Sequence, residues 1–214
     1  MNYVEFIQTF NSFGLFSLDH IRAIYPHFDR RRLVEWQKKG YIVKIRHKWY
    51  CFPEFLHQGN AHLLIANTMY SPSYVSLETA LSYHGIIPET VVTITSVTTK
   101  KTYTVSNKTG DFNYAHIKKS LFFGYEFVPF TPEYRGTAPE KQRQLRIADA
   151  EKALLDFFYI RKKYNTEAEI RALRMDPDIL EEDINKEKLA RYLDIFKSRA
   201  LEKRISLVQG VSHG

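Results

Sequence analysis

Cysteine occurs once in the 214 residues, at position 51. A single thiol cannot close an internal disulfide, and it excludes the zinc sites built from several thiolates. Long apolar runs are missing as well. No stretch approaches the roughly 18 residues that a membrane-spanning helix needs. The start Met1-Asn2-Tyr3-Val4-Glu5 has neither the basic region nor the apolar core of a secretory leader, so no signal peptide is expected. A reducing cytoplasmic location without a membrane partner is the expectation that follows. A basic chain can also favour an anionic lipid surface, but no Lys/Arg helix with a bulky apolar face is present to use it.

Chemistry-bearing motifs are equally scarce. Neither type of glycine-rich phosphate loop occurs. The eight histidines stand at 20, 27, 47, 57, 62, 84, 116 and 213, and no two are spaced to share one helix face as a metal pair. His84 and His116 read as structural histidines, and Cys51 as a buried strand cysteine without an activating base. Ser76 and Ser82 lack the setting of a hydrolase nucleophile. Asp149, Glu151 and Lys152 make the one acid–base group that resembles a nuclease cluster. They fall on a predicted helix, where Asp149 is a first-turn acid favoured by the helix dipole and the other two are surface charges. No catalytic residue, metal or cofactor is expected.

Positive charge is what the chain has in excess, and it is concentrated. Between Arg22 and Lys48 nine Lys and Arg face two acids, Asp29 and Glu35. That local net charge of +7 equals the formal charge of the whole chain. A clustered basic stretch points to a nucleic-acid surface. The pattern within it is two short helices and a hairpin. Ser17 can cap the first helix, with Leu18, Ile21, Ile24 and Tyr25 as its buried stripe and Pro26 as its stop. Asp29 can cap the second, with Leu33, Val34 and Trp36 facing inward and Gly40 closing it. Residues 41–46 alternate as a strand, His47-Lys48 form a basic tip, and residues 49–52 return. Helix, helix and basic hairpin in this order make a winged helix-turn-helix.

The fold class expected is α+β: an N-terminal winged helix-turn-helix at 1–52, a junction at 53–60, and a mixed α/β unit at 61–214 ending in helices. An additional helix is expected at 3–10, with Gly14 after it. Helices follow at 61–70 and 77–84, the latter capped by Ser76. Strands are expected at 91–98, 102–105, 112–117 and 121–128, and a loop at 131–142. The strongest helix is predicted over 146–161. Polar helices then surround Pro177, with Asn185 capping one, and the tail from Gln209 is expected to fray. The candidate DNA-binding residues are Arg30, Arg31, Arg32, Glu35, Lys38, Lys39, Lys44, Arg46 and Lys48. The outer face of the second helix could reach base edges through Arg31, Arg32 and Glu35, and the remaining cations could reach phosphates.

Two later segments carry a family resemblance. They are Tyr74-Val75-Ser76-Leu77-Glu78-Thr79-Ala80-Leu81-Ser82-Tyr83-His84-Gly85-Ile86-Ile87-Pro88-Glu89 and Ile147-Ala148-Asp149-Ala150-Glu151-Lys152-Ala153-Leu154-Leu155-Asp156. With the basic N-terminal unit, they give the first 165 residues or so the look of the AbiEi family of type IV antitoxins. The resemblance implies an autorepressor that binds inverted repeats in its own promoter DNA. It also implies a second unit that counteracts a neighbouring nucleotidyltransferase toxin, typically without a tight complex. Two other readings of the residues stay open: an enzyme, a nuclease or toxin-modifying one, using Asp149 and Glu151, and a pure protein-interaction module.

Overall fold

A computed structural model of the chain describes residues 2–130 and 143–212. It is an α+β fold with two sheets. The loop expected over 131–142 lies outside the described residues.

The chain begins with helix α1 (Tyr3–Phe10), whose first turn is closed by a reciprocal pair. The Asn2 side chain accepts from the Glu5 amide, and the Glu5 carboxylate accepts from the Asn2 amide, each at 2.9 Å. A 3-10 turn and Gly14 lead into strand β1 (Leu15–Ser17). Helices α2 (Leu18–Ile24) and α3 (Arg31–Lys38) and the hairpin β2 (Val43–Arg46) and β3 (Trp49–Cys51) follow. The three strands form an antiparallel sheet in the order β1-β3-β2. Ser17 caps α2 by accepting from the His20 amide. The N-cap of α3 is Arg30 and makes no side-chain cap bond; Asp29, expected as the cap, instead takes the Arg31 amide at 2.9 Å from two residues before the helix begins.

Strand β1 is absent from the sequence reading. Three residues between Gly14 and a helix cap are too few for a periodic signal. Two stripe residues also differ from expectation: Ile24 and Val34 are exposed. Ile24 is the last residue of α2 and Val34 lies on the solvent side of α3, while Phe28 and Trp36 are buried in the interior.

Phe6 is the centre of this unit's core. Its ring lies 4.6 Å from Trp36, 4.7 Å from Phe10, 5.2 Å from Phe16, 5.9 Å from Phe52 and 6.2 Å from Phe28. The sheet is two-sided. Phe16, Ile42, Tyr50 and Phe52 face this aromatic core. Leu15, Ile45 and Cys51 face away and join the core of the rest of the chain. Strand alternation sends neighbours in opposite directions, and here both directions are buried.

Residues 53–57 form a 3-10 turn with Phe55 buried. Helix α4 (Ala61–Met69), β4 (Ser73–Val75) and α5 (Leu77–Tyr83) come next. Strands β5 (Thr93–Thr98), β6 (Tyr103–Asn107), β7 (Gly110–His116), β8 (Tyr125–Pro129) and β9 (Gln144–Ala148) complete the second sheet, with order β6-β7-β5-β4-β9-β8. The pairs β5–β7 and β4–β9 are parallel and the others antiparallel. Helix α4 packs on β4, β5 and β9, while α5 packs on β5 and against α6 (Ala150–Ile160). Helices α8 (Lys186–Phe196) and α9 (Arg199–Ser212) pack on α6, and α7 (Glu167–Arg171) packs on α9, with a π-turn at Ile179–Asp183 between α7 and α8.

Three expectations are corrected here. The helix predicted from 146 starts at Ala150, because Gln144–Ala148 is strand β9. Leu145 and Ile147 are apolar neighbours of the helix's own stripe, which hides the change of period. The strand expected from 121 starts at Tyr125, after a 3-10 turn at Lys119–Leu121. Helix α9 continues through Gln209 to Ser212 where fraying was expected, anchored by Leu201, Ile205 and Val208 in the core.

Gly14 and Gly40 provide a contrast. Both have positive φ, 62° and 74°. A Cβ at Gly14 would lie 2.5 Å from the Phe55 ring, whereas at Gly40 nothing lies within 4 Å. Gly40→Ala should cost about 1–2 kcal/mol, the penalty of a left-handed side chain. Gly14→Ala should cost clearly more, and urea unfolding of the two variants checks the order.

Candidate nucleic-acid interface

The basic residues are positioned by the apolar ones. Leu33 and Trp36 are buried under α3, so Arg31, Arg32, Val34, Glu35, Lys38 and Lys39 all point to solvent. Arg30, Arg31 and Arg32 crowd the N-terminal end of that helix. A helix N-terminus carries partial positive charge and favours acids. Three arginines there work against the helix rather than for it. Asp29 offsets part of this, its carboxylate 3.0 Å from the Arg31 side chain and held below its usual pKa first by the Arg31 amide. Glu35 pairs with Lys39 at 2.7 Å, which lowers the carboxyl and raises the ammonium. The side chains of Arg30, Arg32, Lys38 and Lys44 form no hydrogen bond or ion pair among the described residues.

The hairpin is fixed against α2. The Leu18 amide donates to the Lys48 carbonyl at 3.0 Å, and the Lys48 ammonium lies 3.5 Å from Asp19. Lys48 takes the left-handed conformation, φ 65°, that a two-residue turn with His47 demands. Lys44 is exposed on β2. Eight of the nine residues singled out from sequence are therefore exposed, on α3, at its N-terminal end and on the hairpin. Arg46 is the exception. It is half-buried, and its guanidinium turns to the second unit, 4.5 Å from the Tyr103 ring and 5.2 Å from Tyr70.

The acidic group on α6 has a different character from the one its residue types imply. Asp149, Glu151 and Lys152 are all buried, so Glu151 and Lys152 are not the surface charges expected. Asp149 is the N-cap: one oxygen accepts from the Lys152 amide at 2.8 Å. Its other oxygen accepts from the Tyr192 hydroxyl at 3.0 Å and lies 3.2 Å from Lys188. Glu151 lies 2.9 Å from the same Lys188 and accepts from the Asn185 amide at 2.8 Å. These carboxylates tie α6 to α8, the helix that covers the face expected to be wet.

Lys152 is fully buried and ion-paired with the fully buried Asp156, one turn on. Tyr74 completes the group. Its hydroxyl donates to Asp156 at 2.8 Å and accepts from Lys152 at 2.9 Å. Ser76 donates to the same carboxylate at 2.9 Å instead of capping α5, where Leu77 turns the chain at φ 59°. Burial pushes the Asp156 carboxyl up and the Lys152 ammonium down, and each charge opposes the other's shift. Sequence gave one hint of this, the i,i+4 spacing of Lys152 and Asp156. Tyr74 lies 78 positions away from Lys152 and offered none.

Cys51 is buried in the shared sheet, and burial pushes its thiol up to about 12. His84 is bonded to the Ala148 carbonyl at 2.8 Å and His116 to that of Lys100 at 2.9 Å, both in structural roles.

The buried pair has a direct test. Asp156→Ala leaves an unpaired buried ammonium and should cost about 3–5 kcal/mol. The double variant Lys152→Met/Asp156→Ala should be at least as stable as that single variant, measured by urea unfolding. Comparison with known proteins gives no match for the chain, either to a protein-family model or to a curated protein.

Proposed function

We propose that residues 3–51 act as a winged helix-turn-helix that binds duplex DNA. In this reading α3 enters the major groove and β2–β3 is the wing. Arg31, Arg32 and Glu35 meet base edges, while Arg30, Lys38, Lys39, Lys44 and Lys48 meet phosphates. The element order supports it: helix, short strand, two helices and a hairpin, with the first strand paired to the hairpin. The observation that carries it is the arginine-loaded first turn of α3. Cations at a helix N-terminus cost folding free energy, and a phosphate lying there recovers it.

The resemblance of residues 74–89 and 147–156 extends the proposal. The protein is an autorepressor of its own promoter, and its second unit counteracts a neighbouring nucleotidyltransferase toxin in the cytoplasm. Asp149 and Glu151 take no catalytic part in this reading, because their oxygens are committed to Lys188, Tyr192, Asn185 and the α6 cap.

Charge reversal separates the two roles. Arg32→Glu/Lys38→Glu should weaken binding to a duplex carrying the promoter of its own operon on the order of 100-fold at about 0.1 M salt. The same full-length variant should still rescue growth when co-expressed with the adjacent toxin. Promoter binding unchanged by the double reversal contradicts the proposal.

A further inference from the structure

Arg46 leaves the hairpin and joins cations of the second unit. Beyond its ring contacts with Tyr103 and Tyr70, it donates to the Met69 carbonyl at 3.3 Å. Lys100, from the β5–β6 connection, approaches the same Tyr70 ring at 5.3 Å and donates to the Ser71 carbonyl at 2.5 Å. Arg146 on β9 reaches the Ser71 hydroxyl at 3.3 Å and the Asn67 carbonyl at 3.4 Å. Lys101 is exposed beside Lys100, with its carbonyl held by the Tyr70 hydroxyl at 3.1 Å.

The side chains of Arg46, Lys100 and Arg146 thus converge around residues 67–71, and Lys101, a fourth and exposed cation, follows Lys100 in the chain. Among the described residues none of the four forms an ion pair. Their partners are carbonyls, a hydroxyl and ring faces. Such groups satisfy donors but leave the net charge uncancelled. Arg46 and Arg146 are half-buried, which weakens the water screening that would otherwise moderate the repulsion. The arrangement lacks only an anion. It is also continuous with the basic hairpin: Lys44 precedes Arg46 on β2, and Asn107 on β6 donates to the Ile45 carbonyl between them at 3.0 Å.

We propose that Arg46, Lys100, Lys101 and Arg146 form a second contact for the nucleic-acid phosphate backbone, extending the interface past the wing onto the α+β unit. This rests on the reading of α3 and the wing as a DNA-binding surface. The exposed Lys100 and Lys101 make the phosphate contacts. Arg46 and Arg146 hold the local potential positive, and Arg46 sets the position of the wing relative to the patch.

The test uses the full-length protein and a duplex carrying its promoter region, titrated over a salt series. Each phosphate contact contributes a slope of about 0.9 to the fall of log K with log salt. Lys100→Ala/Lys101→Ala should therefore lower the slope by about 1.8 and weaken binding at least tenfold at about 0.1 M salt. Circular dichroism should find it folded, with melting lowered only slightly by loss of the exposed Lys100–Ser71 bond. Lys162→Ala/Lys163→Ala removes two exposed lysines from the α6–α7 connection and should leave the slope as it was. An unchanged slope in the Lys100/Lys101 protein, or equal losses in both proteins, overturns the extension while leaving the winged-helix reading intact. Failure of the wild-type protein to bind duplex DNA overturns both.

Discussion

The two-sided burial of the N-terminal sheet is the constraint on which the rest depends. Along β3 and into the next residue, Tyr50 and Phe52 face the aromatic core around Phe6, and Cys51 faces the core of the larger unit. Leu15 and Ile45 repeat the arrangement on β1 and β2. A sheet buried on both faces cannot slide or turn without exposing one set or the other. The basic surface of α3 and the hairpin is therefore held in one orientation relative to the α+β unit. Arg143, which donates to the Leu15 carbonyl, and Asn107, which donates to that of Ile45, add polar ties across the same boundary.

Charge is handled in two opposite ways in this molecule. In the interior, every charged group on α6 meets a partner: Lys152 with Asp156, and Asp149 and Glu151 with Lys188. Desolvation makes an unpaired ion there too costly, so the fold supplies opposite charges and tyrosine hydroxyls. At the surface, positive charges are crowded where neighbouring acids are few. The first turn of α3 and the cluster around Tyr70 share that property. Folding alone does not call for either arrangement, and a bound polyanion would offset both.

Much of the N-terminal unit was legible because its signals are local. Asp29, Gly40 and the Leu33/Trp36 spacing define α3, and alternation with a two-residue basic tip defines the hairpin. What escaped was set by distant neighbours. Strand β1 exists because Leu15–Ser17 pair with Trp49–Cys51, a match that three residues cannot announce. Strand β9 is defined by its partners β4 and β8. Lys152 and Glu151 look like surface residues by type, and only the packing of α8 and the reach of Tyr74 put them inside. Arg46 was grouped with the hairpin's other cations, because nothing local shows that Tyr70 and Tyr103 stand beside it.

The central claim is that the surface formed by α3 and the hairpin, locked to the α+β unit, grips duplex nucleic acid. Amide hydrogen exchange of the full chain, with and without a duplex carrying its promoter region, tests it most directly. The account predicts added protection concentrated in residues 29–48. Exchange in that segment unchanged at saturating duplex would contradict it.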